Sequence, residues 1–253
     1  QGEPEPELGG RVMTHDRGKT LGGSSSINGM VFIRGHALDF EGWRQSGCEG
    51  WGYADVLPYF KRMENYSGGA TEYRGGGGPL NVNRPSPQNP IYKAFMAAGE
   101  EAGYPITEDI CGYRQEGFGV LDMSIHNGAR SSTAIAYLDP ARSRKNLHII
   151  TKAQVEKILF DGKTATGIRY TKANGQTFDV NAKTEVILSA GAVGSPHLLL
   201  LSGVGPALDL KAMGIEVLAD LPGVGQNLND HPDFVLKFRC NEPVSIWPHT
   251  RLL

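Results

Sequence analysis

Apolar residues recur at helical spacing in two stretches of the first half of the chain. In residues 55–64 they lie three or four positions apart, which predicts a short amphipathic helix with Asp55 as its cap and Pro58 in its first turn. Residues 90–103 share this spacing, and Gly103 is a typical helix terminator. Between the two helices, residues 68–90 are rich in glycine and proline and predict a loop with a short strand at Leu80–Val82.

From Leu147 onward the pattern changes to that of β-strands. The dipeptides Asp161-Gly162 and Asn174-Gly175 separate short apolar runs and are strong signals for hairpin turns. They predict an antiparallel meander with strands at residues 149–150, 155–160, 167–171 and 176–180.

A dense apolar run at residues 185–189 predicts a strand that is buried on both faces. A short helix should follow it, with Ser195 as the cap, Pro196 at the first position and Gly203 at the end. This arrangement would direct backbone N–H groups and the positive end of the helix dipole toward an anion. Because the G-x-G-x-x-G spacing is missing, we interpret it as a secondary nucleotide contact.

Composition and charge exclude several function classes. The 253 residues are 40% apolar with a formal net charge of −2, which predicts a globular protein that binds neither nucleic acid nor an anionic membrane surface. The longest purely apolar run, residues 198–201, is too short to span a bilayer. Cys48, Cys111 and Cys240 lie far apart, which predicts free thiols and no structural metal. Both ends of the sequence are interpreted as cut ends of a longer chain.

The second ligand candidate is the loop at residues 18–29, where Gly22 and Gly23 precede three serines and Asn28. Glycine lets the main chain touch a ligand, and hydroxyl, amide and backbone N–H groups supply hydrogen bonds to it. Composition alone leaves a serine-rich surface turn open as the alternative.

The loop and two later stretches carry a family resemblance. Residues 18–28, continuing through Phe32, Gly35 and Glu41, resemble the first signature of the glucose-methanol-choline oxidoreductases. Residues 191–205 are similar to their second signature, and residues 221–231 to a third family stretch. Within the family, choline-oxidising members are the most similar, through residues 33–39, 102–105, 115–119 and 242–245.

The resemblance implies an α/β (α+β) fold, namely an incomplete FAD/NAD(P)-binding three-layer domain with part of a smaller substrate-binding domain. Residues 1–78 would be FAD-binding, with the flavin loop and lid, and residues 79–137 a substrate-side insertion. Residues 138–230 would continue the FAD-binding domain, and residues 231–253 would begin the substrate-binding domain.

The resemblance also implies a bound FAD that accepts a hydride at N5 from a small alcohol, choline being the nearest candidate. By position, the cofactor contacts would be Gly22, Gly23, Asn28, Gly29, Met30, Val31, Val155, Ala190 and Gly191. Ile27 occupies the position of a histidine that tethers the flavin in some relatives, so a covalent link there is excluded. No catalytic residue is assigned within the chain, because the family's histidine is expected beyond the C-terminus.

Three alternatives stay open: an oxidase or dehydrogenase for another alcohol, a non-redox member of the hydroxynitrile-lyase type, and a flavin site too incomplete for catalysis. The resemblance leaves the electron acceptor open. It is compatible with a cytoplasmic protein or with peripheral association at an inner or mitochondrial membrane.

A few further residues invite functional interpretations. His231 beside Asp230 is interpreted as structural, and residues 130–133 as a helix cap rather than a phosphate contact. Aromatic side chains suit a quaternary ammonium group, but core packing is the favoured role for the candidates Trp43, Trp51, Tyr53 and Trp247.

Overall fold

The structure is a computed structural model that describes residues 2–86, 88–231, 237–242 and 244. The chain forms two units, one from Gln1–Leu147 with Arg239–Leu253 and the other from His148–Phe238. The domain boundaries predicted after residues 78, 137 and 230 stay predictions.

The first unit combines short strands with helices. Its strands are β1 (Pro4–Glu5), β2 (Arg11–Val12), β3 (Val31–Phe32), β4 (Glu64–Tyr66), β5 (Leu80–Val82), β6 (Asp122–Met123), β7 (Ile125–His126) and β8 (Ala129–Arg130). Its helices are α1 (Ala37–Gln45), α2 (Tyr53–Met63), α3 (Pro90–Glu101) and the short α4 (Asp139–Ala141), with further helical turns at Pro6–Leu8, Gly23–Ser26 and Ala134–Leu138. The pairs β1–β2, β3–β6 and β7–β8 are antiparallel, and β4–β5 is parallel.

Helix α2 begins two residues earlier than predicted, at Tyr53. Asp55 caps it from within the first turn, because its Oδ2 accepts a hydrogen bond from the Gly52 N–H at 3.0 Å. Glu41 of α1 accepts another from the Tyr53 N–H at 3.1 Å, which joins the two helices. Pro58 therefore lies in the interior of the helix and not in its first turn.

Helix α3 and strand β5 confirm their predictions. The Asn89 side chain accepts a hydrogen bond from the Ile91 N–H at 2.9 Å, and Pro90 occupies the first turn of α3. Gly103 follows the end of this helix with a left-handed φ of 81°. Strand β5 covers Leu80–Val82, the residues that the sequence indicates.

Charged side chains occupy much of the centre of the first unit. The Arg74 Nη1 atom lies 2.8 Å from Asp122 Oδ2 and 2.7 Å from Asp109 Oδ1. Its Nη2 atom lies 2.7 Å from Glu64 Oε1, an ion pair without hydrogen-bond geometry. Burial disfavours the charged form of Arg74, but the hydrogen bond to Asp122 and the charges of Glu64 and Asp109 outweigh it, so its pKa lies above the ordinary value.

Two more arginines complete this buried ionic cluster. Arg34 Nη2 lies 2.5 Å from Glu64 Oε2, and Arg84 Nε lies 2.8 Å from Asp122 Oδ1. With Arg74 and Asp109, three arginines face three carboxylates, so the cluster is neutral overall. A buried charge is tolerated only when it is paired in this way.

The second unit is built on an antiparallel sheet of three strands in the order β11 (Thr177–Asn181), β10 (Thr164–Lys172), β9 (Ala153–Asp161). The predicted meander is confirmed for these strands, but residues 149–150 are not part of it. Helix α5 (Gly191–Leu201) packs against β9, and Ser202 Oγ accepts a hydrogen bond from the Ile158 N–H at 2.8 Å. Helix α6 (Ala207–Ala212) lies between β12 (Val204–Gly205) and β13 (Ala219–Asp220), which pair in parallel.

Two predictions for this unit are wrong. Residues 185–189 form no strand, and the Ile187 side chain is 78% exposed. A strand buried on both faces needs neighbouring strands, and none within the described residues pairs with this run. Helix α5 begins at Gly191 and not after Ser195. Ser195 lies inside the helix, where its Oγ accepts a hydrogen bond from the Ala190 N–H at 3.0 Å.

Replacing Asp122 by alanine is expected to lower the free energy of unfolding by about 3–5 kcal/mol, because Arg74 and Arg84 would lose the carboxylate they share. Thermal or denaturant unfolding followed by near-UV circular dichroism measures this loss. The control Asp139→Ala breaks an exposed pair with Arg142, whose side chains are 47% and 49% exposed, and should have a much smaller effect. Equal losses in both variants would contradict the central role of the buried cluster.

Cys111 is expected to resist thiol reagents in the folded protein. Cys111 is only 1% exposed. Burial raises the pKa of its thiol, which lowers the fraction of reactive thiolate. Cys48 and Cys240 are exposed and serve as internal controls. At about pH 8, near the ordinary pKa of a free thiol, alkylation followed by mass spectrometry should label these two first and Cys111 only after unfolding. Equally fast labelling of Cys111 would refute this expectation.

Candidate functional site

The loop at residues 18–31 folds back closely on itself. Gly22 and Gly23 take left-handed backbone conformations with φ of 86° and 54°, and the helical turn Gly23–Ser26 follows directly. A Cβ atom on Gly18 would lie 2.2 Å from the Gly23 backbone, so position 18 has no room for a side chain. The glycines of this motif therefore set the shape of the loop.

The three serine hydroxyls of the loop bond to the loop itself. Ser24 Oγ accepts a hydrogen bond from the Gly18 N–H at 3.1 Å. Ser25 Oγ donates to the Gly22 carbonyl at 2.5 Å, and Ser26 Oγ donates to the Leu21 carbonyl at 2.8 Å. The sequence suggested that these hydroxyls serve a ligand, whereas the structure uses them to stabilise the loop.

The second half of the loop has a strained residue with a specific support. Met30 has a left-handed φ of 63°, which is uncommon for a residue with a side chain. Asn28 Oδ1 accepts a hydrogen bond from the Met30 N–H at 3.1 Å. The Met30 carbonyl accepts two more, from the Ser124 N–H at 2.8 Å and the Ser124 hydroxyl at 3.1 Å. Val31 then enters β3 and pairs with Met123.

Residues 130–133 form hydrogen bonds to the loop, a role that the sequence did not predict. Arg130 donates to the main chain of Ser25 and to Asn28, and Thr133 bonds to Gly22 and Ser25. The predicted cap is present as well, because Ser132 Oγ accepts a hydrogen bond from the Ile135 N–H at 3.3 Å. These partners lie more than a hundred positions from the loop, a distance at which periodicity carries no signal.

The outer face of the loop is open and partly apolar. A Cβ atom on Gly23 or Gly29 would meet no heavy atom within 4 Å. The side chains of Ile27 and Val31 are 51% and 47% exposed. A planar ring fits against such a face, because the main chain and the apolar side chains can both touch it. The residues of the loop therefore fit a flavin.

In the second unit, Ala190 and Gly191 lie at the start of α5. Ala190 is the N-cap, and its methyl side chain accepts no hydrogen bond, although its N–H donates to Ser195 Oγ. Gly191 has a left-handed φ of 84°. A Cβ atom on Gly191 would meet no heavy atom within 4 Å, so a ligand has room to approach. The N–H groups of the first turn and the helix dipole favour a negatively charged group at this end.

Val155 lies on β9 beside an irregularity of the sheet. Its partner on β10 is Tyr170, whereas Lys157 pairs with Arg169, which leaves Glu156 as the extra residue of a bulge. A bulge turns the main chain locally out of the regular ladder, which suits a main-chain contact to a ligand.

The other candidates are packing or backbone groups. Trp43 packs edge-on against Phe40 and Trp51 at centroid distances of 5.3 and 6.0 Å, and Tyr53 lies 6.2 Å from Phe40. The interaction of His231 with Asp230 is made by its backbone N–H at 2.8 Å. Trp247 lies outside the described residues, as do Pro243 and Ser245.

The first unit has an open glycine-rich loop, and the second has a helix that begins beside an antiparallel sheet. Both features are compatible with a mixed α/β protein that binds a nucleotide cofactor. The family model for the glucose-methanol-choline (GMC) oxidoreductases matches residues 6–233, and the chain therefore belongs to this family. No helix among the described residues is long and apolar enough to cross a bilayer.

Curated relatives and a solved structure are similar to nearly the whole chain. The oxygen-dependent choline dehydrogenase of Brucella anthropi is 51% identical over 251 residues, which are 99% of this chain and 45% of that protein. The mitochondrial choline dehydrogenase of Homo sapiens is 50% identical over 244 residues, which are 96% of this chain and 41% of that protein. An FAD-dependent oxidoreductase from Chaetomium thermophilum has a TM-score of 0.85 at 35% identity, covering 90% of this chain and 42% of that one.

These matches confirm the predicted family, the fold class of an incomplete FAD-binding α/β domain, and FAD as the cofactor. The chain spans less than half the length of each of these proteins.

Proposed function

We propose that the complete protein carrying this sequence is an FAD-dependent dehydrogenase that oxidises choline to its aldehyde. The observation that carries the proposal is the 51% identity over 99% of the chain to a protein named oxygen-dependent choline dehydrogenase. In this reaction the alcohol carbon loses a hydride, the hydroxyl group loses a proton to a base, and FAD supplies the hydride acceptor. The base is not assigned to a residue of this chain.

The first unit would hold the flavin ring on the outer face of the loop. We assign the contacts to Gly22, Gly23, Asn28, Gly29, Met30 and Val31. Support for this assignment comes from the open space at Gly23 and Gly29, and from the exposed side chain of Val31. These residues would orient the ring chiefly through the main chain, and their apolar side chains would exclude water from one of its faces.

The second unit would bind the nucleotide part of the cofactor. Ala190 and Gly191 would receive a negatively charged group at the start of α5, where the N–H groups of the first turn and the helix dipole favour it. Val155 would contact the adenine through its main chain, beside the bulge of β9. The cellular location stays a prediction from the family resemblance, and no electron acceptor is assigned.

Choline is expected to bleach the oxidised flavin bands of the complete protein under anaerobic conditions, because the hydride passes to the flavin and no oxygen returns it to the oxidised state. Absorbance spectra before and after the addition measure the effect. Betaine is the matched control, since it has the same trimethylammonium group but no hydroxyl group to oxidise.

A bound flavin that choline leaves oxidised would contradict the choline assignment. Bleaching by another primary alcohol would then indicate a different substrate within the family. No bleaching by any alcohol would favour a non-redox member.

Replacing Gly29 by alanine is expected to weaken FAD binding by about 10-fold or more, because the added methyl group would overfill the space proposed for the ring. The fold should not change, since a Cβ atom at Gly29 meets no heavy atom within 4 Å. Gly77→Ala is the matched control, a loop glycine with equally open surroundings. Titration of the apoprotein with FAD, followed by flavin fluorescence, gives both affinities. Equal affinity of the two variants would remove Gly29 from the contact set.

A further inference from the structure

We propose that Arg130 is a positioning residue for the flavin, which fixes the loop at residues 22–31 in its binding conformation, with Thr133 as its second anchor. This inference rests on the proposed function in one respect, the placement of the flavin on that loop. It concerns cofactor binding alone and does not depend on which alcohol is oxidised.

A single nitrogen of Arg130 binds three oxygen atoms of the loop. Its Nη1 atom donates to the Ser25 carbonyl at 3.1 Å, to the Asn28 carbonyl at 2.8 Å and to Asn28 Oδ1 at 2.7 Å. Hydrogen bonds with a charged donor are shorter and about twice as strong as neutral ones. Arg130 thereby joins the end of the helical turn Gly23–Ser26 to the asparagine that follows it.

Asn28 links Arg130 to Met30, the strained residue of the loop. Its Oδ1 atom accepts from Arg130 and also from the Met30 N–H at 3.1 Å. The guanidinium group therefore fixes the orientation of the amide that supports the left-handed conformation of Met30. Without Arg130, the amide could turn to solvent, and Met30 would lose a bond that offsets its backbone strain.

Thr133 holds the opposite end of the loop. Its N–H donates to Ser25 Oγ at 3.0 Å, and its hydroxyl donates to the Gly22 carbonyl at 3.2 Å. Gly22 has a left-handed φ and a conformational freedom that must be restricted before a ligand can bind tightly.

The segment that carries both anchors is itself well supported. Arg130 ends the β7–β8 hairpin, where it pairs with Ile125. The neighbouring Ser131 and Ser132 are 3% and 4% exposed, and the Ser131 N–H donates to the Ser124 carbonyl at 2.9 Å. A buried and hydrogen-bonded segment gives the anchors a fixed base, as a preorganised site requires.

The test compares FAD binding by Arg130→Met and Arg142→Met in the complete protein, without any alcohol. We expect Arg130→Met to raise the FAD dissociation constant about 10- to 100-fold, the range that corresponds to lost hydrogen bonds with a charged partner. The visible circular dichroism of the bound flavin should also change, because the ring would be held less uniformly. Arg142 pairs with Asp139 on the exposed surface of the same unit, so its variant should match the parent protein.

A second pair of variants keeps the proposal testable if Arg130→Met folds poorly. Thr133→Val removes the hydroxyl, which bonds to the Gly22 carbonyl and to Ser25 Oγ, but keeps the N–H bond. It should weaken FAD binding about 3- to 10-fold, as expected for the loss of neutral hydrogen bonds. Arg130→Lys keeps the charge and should restore part of the affinity lost in Arg130→Met.

Unchanged FAD affinity and an unchanged flavin dichroism spectrum in both Arg130→Met and Thr133→Val would overturn the proposal. If the unsubstituted complete protein bound no FAD at all, the proposed function would fail instead. If it bound FAD but did not oxidise choline, only the choline assignment would fail, and the comparison of Arg130 with Arg142 would keep its meaning.

Discussion

Arg74 is enclosed by carboxylates from separate segments of the first unit, and this cluster fixes where those segments meet. Glu64 belongs to β4, Asp109 follows α3, and Asp122 belongs to β6. Because strands of two or three residues bury little apolar surface, their pairing alone specifies a register weakly. A buried ion pair specifies it more strictly, since a shift by one residue would leave a charge without its partner.

The same cluster contacts the residue that directly follows the loop at residues 18–31. Asp122 pairs with Phe32 across β3 and β6, and the Arg74 guanidinium carbon lies 5.9 Å from the centre of the Phe32 ring. Arg34, two residues further on, is bound to Glu64. The C-terminal end of the loop is thus tied to the most buried charges of the unit. The rest of the loop is held by hydroxyl groups and by the hairpin segment that carries Arg130.

Local signals in the sequence predicted the elements whose conformation depends on residues adjacent in the sequence. The helix terminator at Gly103 and the hairpin turns at Gly162 and Gly175 follow from the conformational preferences of those residues alone. The run at residues 185–189 could not be predicted in the same way, because an apolar sequence becomes a buried strand only where other strands pair with it. The bonds from Arg130 to Ser25 and Asn28 were equally out of reach, since their sequence separation exceeds a hundred positions.

In the loop at residues 18–31, the groups that set the conformation differ from the side chains that face outward. Its fold depends on glycine backbones and on serine hydroxyls that bond inward. Ile27 takes part through its backbone N–H, which donates to the Ser24 carbonyl at 3.1 Å, while its side chain is half exposed. Residue 27 can therefore be exchanged with little effect on the conformation around it. Because the resemblance places a flavin-tethering histidine of some relatives at this position, such a frame would allow the mode of cofactor attachment to diverge while the architecture of the loop is retained.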